Sequence, residues 1–248
     1  MRLRNRTAIV TGAAQGFGFG IAESFVREGA IVVLLDIQDG AVRSAAAALG
    51  PAALPFVCDV SDPASVARAG ADAIAALGHL DILVNNAGTT HRNRPMLEVD
   101  GAEFDRIFAV NVKSILLFAH AVVPHFRERG GGTILNIGST AGIRPRPGLT
   151  VYNASKGAVN LMSKSMAVEF APDRIRVNAI APVAGETPLL ASFMGEDTPE
   201  RRAAFTATVP LGRLSTPVDI ANAAVFLCSD EAAMITGSVL EVDGGRCV

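Results

Sequence analysis

The stretch TAIVTGAAQGFGFG, residues 7–20, decides the fold of this chain. It opens with a β-branched apolar run, TAIVT, and continues with Gly12, Gly16 and Gly18 before a helical pattern begins. Glycines here permit a tight turn and a close approach of the backbone to a ligand, and the helix that follows presents free N–H groups. Three spaced glycines alone are a weak signal. A strand, a glycine turn and a helix in this order predict a βα unit that binds a pyrophosphate.

The rest of the chain alternates short apolar runs with longer alanine-rich segments. The runs are continuously apolar, which is typical of strands buried on both faces of a parallel sheet. We therefore expect an α/β protein, a single-domain Rossmann fold over residues 1–248, with a doubly wound seven-stranded parallel sheet and helices on both faces. The strands are expected at 7–11, 31–36, 53–59, 81–86, 133–139, 175–181 and 238–244, and the helices near 17–28, 39–49, 62–77, 102–129, 151–171 and 216–229.

Composition and charge argue against several classes of protein. The chain has 22 basic and 24 acidic residues and no basic block that would bind the phosphates of a nucleic acid. Cys58, Cys228 and Cys247 have no paired spacing and the four histidines no metal-ligand spacing, so we expect no disulfide and no metal site. No signal peptide and no run of membrane-spanning length is found. A cytoplasmic protein without membrane or nucleic-acid partners is expected.

A carboxylate ends the second expected strand. Asp36 lies eighteen residues beyond Gly18, where an acidic side chain can accept hydrogen bonds from the adenosine ribose of a dinucleotide. That carboxylate repels a ribose phosphate, and neither Gln15 nor Ile37 offers a basic side chain, so NAD is expected and NADP is less favoured. The alternative is that the glycines only turn a corner and Asp36 caps the helix that starts near Asp39.

The segment TVYNASKG, residues 150–157, holds the only tyrosine, Tyr152, and one of three lysines, Lys156. Residues four apart share one helix face. Oxidising an alcohol needs a base, and tyrosine, with a pKa of about 10, becomes one when a nearby cation lowers that pKa. Ser139, at a strand end, can hydrogen-bond the substrate oxygen. The alternative for Tyr152 and Lys156 is a surface pair worth roughly a few tenths of a kcal/mol.

Together these segments resemble the short-chain dehydrogenase/reductase family over essentially the whole chain. The resemblance rests on TGxxxGxG at 11–18, DV at 59–60, NNAG at 85–88, Asn111 in VNVKS, Ser139 in IGSTAG, YNASK at 152–156 and DGG at 243–245. It implies an NAD(P)-dependent oxidoreductase with a catalytic tetrad of Asn111, Ser139, Tyr152 and Lys156. The cofactor-binding residues are expected to be Gly12, Gln15, Gly16, Phe17, Gly18, Asp36, Asp59, Val60, Asn86, Ala87, Gly88, Tyr152, Lys156, Pro182, Val183 and Thr187.

The resemblance also gives individual roles. Lys156 would hold the nicotinamide ribose, and the carbonyl of Asn111, in a helix irregularity, would bind a water that relays protons from the lysine. Asp59 and Val60 would hold the adenine, residues 86–88 would support the cofactor, and Thr187 would contact the nicotinamide carboxamide.

The chain departs from the family pattern at two places. Phe17 stands between two glycines where the family usually has a smaller aliphatic residue, and PVAGET, residues 182–187, replaces the usual PG after the sixth strand. We expect the first departure to reshape the diphosphate turn slightly and the second to alter the position of Thr187.

Three segments are expected to border the substrate, residues 89–95, 141–149 and 182–215. Residues 182–215 form an unusually long connection, so a substrate lid is expected at about 183–212. Arg144 and Arg146 lie between Ser139 and Tyr152 and could recognise a carboxylate or phosphate. The alternative is two solvated arginines in a proline-rich turn.

We expect an NAD-dependent oxidoreductase that interconverts a secondary alcohol (a polyol, sugar or other hydroxy compound) and its ketone by hydride transfer. One alternative is an NADPH-dependent 3-oxoacyl-(acyl carrier protein) reductase. Another is a catalytically silent nucleotide-sensing module, which would have no need of a base, a cation and an oxyanion donor together. The partner is a small-molecule substrate. Apolar faces at 102–129 and 159–170 suit either a thick core or burial against another subunit, and the family resemblance implies a homo-oligomer, a tetramer.

Overall fold

The computed structural model describes all residues, 1–248. Seven strands form one sheet in which every strand pairs in parallel with its neighbours, in the order β3-β2-β1-β4-β5-β6-β7. The predicted α/β fold with a seven-stranded parallel sheet is therefore confirmed. The strands are β1 (Thr7–Thr11), β2 (Ile31–Asp36), β3 (Ala53–Val57), β4 (Ile82–Asn85), β5 (Gly132–Ile137), β6 (Ile175–Pro182) and β7 (Val239–Val242).

Nine α-helices connect the strands and cover both faces of the sheet. They are α1 (Gly16–Arg27), α2 (Asp39–Leu49), α3 (Pro63–Leu77), α4 (Gly101–Phe108), α5 (Ser114–Arg129), α6 (Thr150–Phe170), α7 (Leu190–Met194), α8 (Pro199–Thr206) and α9 (Pro217–Cys228). Sequence signals mark several ends. The carboxylate of Asp62 caps α3 ahead of Pro63, and α9 begins at a capping box formed by Thr216 and Asp219.

The core lies in two layers, one on each face of the sheet. Along β1, Ala8 and Val10 pack with α1 and α9, while Ile9 packs with the helices of the opposite face. Residues of β2 alternate in the same way, with Val32 on the first face and Val33 on the second. Both faces of a strand are thus dry, which is why its sequence is continuously apolar and does not alternate.

The strand order reverses between β1 and β4. The chain builds outward from β1 through β2 and β3, then returns to place β4 on the other side of β1. In open α/β sheets, a ligand crevice forms beyond the carboxyl ends of the strands at such a reversal. Asn86, after β4, donates from Nδ2 to the main-chain oxygens of Thr11 and Gly12, at 2.8 and 3.0 Å. The glycine turn and the segment after β4 are joined at this point.

The segment 101–129 differs from the single α-helix expected at 102–129. Between α4 and α5, residues Ala109–Lys113 form a π-helical turn. The whole segment is long and apolar enough, by length and composition alone, to cross a membrane, which corrects the expectation that no run reaches that length. Phe118 and Val122 on this segment are fully buried against the sheet, so its apolar character is that of a core helix.

Three strands end two residues earlier than the sequence predicted. The expected strands ran to residues 59, 139 and 244, whereas β3, β5 and β7 end at Val57, Ile137 and Val242. For β3 the limit is set by pairing, because β2 ends at Asp36 opposite Val57. The polar residues that follow, Asp59 and Ser139 among them, therefore lie beyond the sheet edge, where they can face a ligand.

Candidate active site

A cavity of about 620 Å³ opens at the carboxyl ends of the strands. Its volume is in the range of small-molecule and cofactor sites. The structure brings 15 of the 16 expected cofactor-binding residues to its walls, and only Gly18 is absent. Ser139, Tyr152 and Lys156 also line it, whereas Asn111 lies behind the wall.

The glycine turn leaves the start of α1 open. Gly12 and Gly16 have φ angles of +62° and +61°, which side-chain-bearing residues rarely adopt. Gln15 occupies the N-cap position without a capping side-chain hydrogen bond, and no acidic residue lies in the first turn. The first N–H groups of α1 are therefore free for an anion, as a dinucleotide pyrophosphate requires.

Gly18 packs against the glycine turn and does not line the cavity. A Cβ atom on Gly18 would lie 2.2 Å from the Gly12 carbonyl oxygen and 2.4 Å from Nδ2 of Asn86. Gly18 therefore lets α1 pack closely on the turn, and its expected contact with the cofactor stays a prediction.

Asp36 lines the cavity at the end of β2, three positions away in the sheet from β5, which Ser139 follows. Its carboxylate is buried and accepts hydrogen bonds from the main-chain N–H groups of Ala14 and Gln38, each at 3.1 Å. Gln38, not Asp36, occupies the N-cap position of α2. The alternative in which Asp36 caps that helix does not hold, and the carboxylate faces a cavity wall shared with Ile37.

The segments after β3 and β4 complete the cofactor side of the cavity. Oδ1 of Asp59 accepts from the N–H and the hydroxyl of Ser61, at 2.9 and 2.7 Å. The hydroxyl oxygen of Thr11 accepts from the N–H groups of Asn86 and Ala87, both at 2.9 Å. These bonds fix the main chain beside the glycine turn, with Val60 and Gly88 also on the wall.

Ser139 follows β5 in a turn that packs directly on α6. A Cβ atom on Gly142 would lie 2.5 Å from the N atom of Gly157, so only glycine allows this approach. The Ser139 hydroxyl oxygen accepts from the N–H of Ala141 at 3.0 Å. Because that bond uses a lone pair, the hydroxyl proton is left to donate into the cavity.

Tyr152 and Lys156 lie one turn apart on α6, and both are buried. Lys156 Nζ donates to the Ile137 carbonyl oxygen at 2.7 Å and lies 5.9 Å from the centre of the Tyr152 ring. Burial raises the pKa of Tyr152 to about 12, a shift that the Ser139 hydroxyl opposes. Burial also lowers the pKa of Lys156 to about 8.

In the chain without a bound cofactor, therefore, Lys156 does not bring the pKa of Tyr152 below its ordinary value, contrary to the expectation from the sequence. The loss of solvation outweighs any attraction, because both side chains are removed from water and the lysine charge is itself disfavoured there.

Asn111 lies in the π-helical turn and fastens the loop after β4. Its Oδ1 accepts from the N–H of Thr89 at 2.8 Å, and its Nδ2 donates to the Thr89 carbonyl at 2.9 Å and to the Ser155 hydroxyl at 3.0 Å. A Cβ atom on Gly88 would lie 3.5 Å from Asn111 Oδ1 and 3.6 Å from Lys156 Nζ. The structure thus brings Asn111 and Lys156 to the same glycine, and the role of the Asn111 carbonyl stays a prediction.

The two departures from the family pattern contact each other. A Cβ atom on Gly185 would lie 2.2 Å from the Phe17 ring, so the absent side chain of Gly185 makes room for the larger side chain in the glycine turn. Thr187 remains beside the turn, since a Cβ atom on Gly16 would lie 3.4 Å from its Cγ2. Pro182 and Val183 line the same wall. The missing side chain at Gly185 therefore compensates for the large side chain of Phe17.

The substrate half of the cavity is apolar, with one cation. Leu149, Tyr152 and Ala141 pack together, and the Phe193 ring lies 5.0 Å from the Tyr152 ring. Arg146 lines this half, whereas Arg144 donates to the main-chain oxygen of Arg246 at 2.6 Å. The expectation that Arg144 borders the pocket is therefore wrong.

Sequence reasoning missed several wall residues. Leu149 and Phe205 belong to segments expected to border the substrate, but nothing in the sequence selects them from their neighbours. Thr89, in the expected segment 89–95, lines the cavity, and so does Arg106. Arg106 had no sequence signal, because its contact with the Thr89 hydroxyl, at 2.7 Å, depends on how α4 meets the loop after β4.

The expected lid contains α7 and α8. Leu190 and Met194 are buried with Leu214, whereas Leu189 and Phe193 face the cavity. Closure of this segment over a substrate stays a prediction. We expect amide hydrogen exchange across 186–208 to slow when NAD and an alcohol are both bound. Equal protection in the free and bound chains would show a static wall.

The fold and the site define an oxidoreductase that binds NAD(P), and comparisons with known proteins agree. A family model described as Enoyl-(Acyl carrier protein) reductase matches residues 12–246. The 4-formylbenzenesulfonate dehydrogenase of Comamonas testosteroni is 49% identical over 250 residues, covering 99% of each chain. The 2-(S)-hydroxypropyl-CoM dehydrogenase 3 of Xanthobacter autotrophicus is 40% identical, over 98% of this chain and 97% of that one.

A solved structure is similar over the full length. The 3-ketoacyl-(acyl-carrier-protein) reductase from Brucella melitensis, complexed with NADH, superposes with a TM-score of 0.95 at 45% identity, covering 99% of this chain and 100% of that one. The chain belongs to the short-chain dehydrogenase/reductase family and is an NAD(P)-dependent oxidoreductase acting on CH–OH groups. The alternative of a silent nucleotide-sensing module is set aside.

Proposed function

We propose that this enzyme uses NAD to interconvert a secondary alcohol (a polyol, sugar or other hydroxy compound) and its ketone. The observation that carries the proposal is the arrangement of the cavity walls. Ser139, Tyr152 and Lys156 line the cavity after β5 and on α6, and a buried carboxylate, Asp36, lines it at the end of β2, three positions away from β5 in the sheet. The first group suits proton transfer at a hydroxyl, and the carboxylate suits a ribose with two free hydroxyls.

Each residue of the catalytic wall has a chemical part in this proposal. Ser139 donates its free hydroxyl proton to the substrate oxygen, and Tyr152 takes the proton that the alcohol loses. Lys156, held by Ile137, supplies positive charge when protonated, and Asn111 positions the loop beside it. NAD, held by the cofactor side of the cavity, would supply the hydride acceptor, and the positive charge of its oxidised ring would favour the phenolate form of Tyr152.

The remaining cofactor-binding residues are proposed to act through position. Gly12, Gln15, Gly16 and Phe17 surround the open start of α1, where the pyrophosphate would bind. Asp59 and Val60 would border the adenine, Asn86, Ala87 and Gly88 the ribose, and Pro182, Val183 and Thr187 the nicotinamide.

NAD is preferred to NADP in this proposal because of Asp36. The residues beside it on the cavity wall, Ile37 and Gln38, carry no positive charge that could attract a 2′-phosphate. Reduction of a 3-oxoacyl thioester is a second candidate. It is favoured by the name of the Brucella protein, whose structure contains NADH.

A substrate panel tests the reaction class and direction. Secondary alcohols, polyols, sugars and 3-oxoacyl thioesters would be assayed with NAD, NADH, NADP and NADPH by nicotinamide absorbance. We expect NAD reduction with at least one alcohol. Activity confined to thioesters and NADPH would contradict the proposal and favour the second candidate.

The proposal includes a homotetramer in the cytoplasm. Leu116 on α5 and Leu161 and Val168 on α6 are exposed apolar side chains beside one groove, which suits burial against another copy. A monomer in analytical ultracentrifugation would contradict this assembly. The three cysteines are unpaired, which suits a reducing compartment, and cell fractionation tests the location.

A further inference from the structure

Two arginines line the cavity, and they differ in whether a carboxylate lies close to the guanidinium group. Arg106 lies 3.7 Å from the Glu103 carboxylate, which it shares with Arg94, and donates to the Thr89 hydroxyl. Arg146 has no carboxylate within salt-bridge distance, although it is half-buried. Its guanidinium lies 4.2 Å from the centre of the Phe205 ring and donates to the Thr208 hydroxyl at 3.1 Å.

A second unbalanced guanidinium lies close to Arg146. Arg246 is only 8% exposed, and its Nε and Nη1 atoms are buried without any hydrogen-bond partner. Arg144 fixes the main chain of Arg246 by its hydrogen bond to the carbonyl oxygen. Buried donors without partners are rare in folded proteins, and a bound ion is one of the few arrangements that satisfies them.

The guanidinium groups of Arg144, Arg146 and Arg246 repel one another. Burial and the neighbouring guanidinium groups of Arg246 and Arg144 lower the pKa of Arg146 to about 10. The arginines of the nearby lid are neutralised, since Arg202 and Arg213 pair with Asp197 and Asp219. Arg146 is therefore a half-buried cation without a carboxylate partner, and a ligand can supply one.

We propose that Arg146, with Arg246 behind it, forms a subsite for an anionic group of the substrate, a carboxylate, sulfonate or phosphate. This inference rests on the proposed function, because it places the reacting carbon beside Ser139 and Tyr152. The apolar wall formed by Leu149 and Phe193 lies in the same half of the cavity. The substrate is then an alcohol or ketone with an apolar body and an anionic end.

Binding to the NADH-loaded enzyme separates this subsite from turnover, because an alcohol cannot be oxidised there. The probes for calorimetry are para-(1-hydroxyethyl)benzoate and its neutral methyl ester. We expect the acid to bind at least about ten-fold more tightly than the ester, as a charge-assisted hydrogen bond predicts. In Arg146→Leu the two affinities should become equal, with the ester unaffected, and Arg146→Lys should restore part of the difference.

Two further variants sharpen the test. Arg106→Leu, on the same cavity but already paired with Glu103, should leave the acid-to-ester ratio unchanged. Arg246→Met, which keeps an apolar stem, should lower the ratio by about two- to five-fold through lost positive potential. The subsite is overturned if Arg146→Leu weakens neither the binding of the acid relative to its ester nor the binding of 3-oxobutyryl-CoA.

A thioester arm identifies the source of the anion. If 3-oxobutyryl-CoA, measured on the NAD-loaded enzyme so that its ketone is not reduced, loses affinity in Arg146→Leu and the benzoate does not, the anion is a phosphate of a carrier group and the subsite stands. The proposed function fails separately. An enzyme that prefers the acid but never reduces NAD would contradict the dehydrogenase and keep the subsite. An enzyme that reduces NAD but shows no preference for the acid, and no loss of 3-oxobutyryl-CoA affinity in Arg146→Leu, would contradict the subsite and keep the dehydrogenase.

Discussion

Tyr152→Phe should retain NAD binding and lose about 10²–10⁴-fold or more in kcat, which is the usual contribution of a positioned acid–base group. The substitution removes one oxygen atom from the wall beside Ser139. It leaves the open start of α1 and the carboxylate of Asp36 unchanged, and these lie in other parts of the cavity. Cofactor affinity measured by calorimetry and kcat measured on the best substrate of the panel check the two halves of this expectation.

Phe is a matched replacement because the ring keeps its packing against Phe193 and Leu149. A variant with near-normal kcat would remove Tyr152 from the mechanism. A variant that also loses NAD affinity would point to a collapsed cavity, which near-ultraviolet circular dichroism of the phenylalanine bands and thermal unfolding would reveal.

The ionisation of the same residue can be measured directly. The chain contains one tyrosine and no tryptophan, so tyrosinate absorbance reports Tyr152 alone. In the cofactor-free enzyme the pKa should be about 12, because burial disfavours the phenolate. Unfolding should return it to about 10, and NAD should lower it in the folded chain. A folded, cofactor-free value near that of free tyrosine would contradict the burial of this hydroxyl.

Much of the fold was readable from local sequence. The continuous apolar runs predicted strands with two dry faces, and the structure confirms them in β1 and β2. The strand ends were less readable, because the end of β3 is set by pairing with β2 and not by its own residues. The π-helical turn at 109–113 was expected only through the family resemblance, since its residues alone continue the helical pattern.

The site was readable where chemistry demands particular residues at particular spacings. Tyr152 and Lys156 needed only their helical offset, and Asp36 only its place at the end of β2. The pKa of Tyr152 was not readable, because it depends on how completely the folded chain excludes water from the phenol. The contact of Phe17 with Gly185 joins residues 168 positions apart in the chain, so each appeared as a separate departure.

Arg144 and Arg146 illustrate the same limit. They are two residues apart in one turn, and their sequence context is nearly identical. Only the folded chain separates them, because Arg144 meets the carbonyl of Arg246 while Arg146 turns toward Phe205 and the cavity.

The second large effect is expected at Asp36. NADP would place its 2′-phosphate against this buried carboxylate, adding repulsion and removing a hydrogen bond. We expect kcat/KM to favour NAD by about 10²-fold or more, roughly 3 kcal/mol at about 1.36 kcal/mol per decade. Asp36→Ala should shrink this preference, and adding Ile37→Arg should shrink it further by attracting the phosphate.

Asp36→Asn is the matched control for the structural part of this residue. The amide oxygen can still accept from the N–H of Ala14 or of Gln38, so the turn keeps a partner while the charge is lost. If charge sets the preference, Asn and Ala variants should lose it to a similar extent. If only the Ala variant changes, and its stability falls as well, Asp36 acts through the turn.

The most direct test of an NAD-dependent dehydrogenase is therefore kcat/KM of the wild type with NAD and with NADP, on one alcohol and at one pH, beside the same pair for Asp36→Ala. We predict a preference for NAD of about 10²-fold or more in the wild type and a much smaller one in the variant. Equal use of both cofactors by the wild type would contradict the assignment of Asp36, and with it the choice of an NAD-dependent dehydrogenase over an NADPH-dependent reductase.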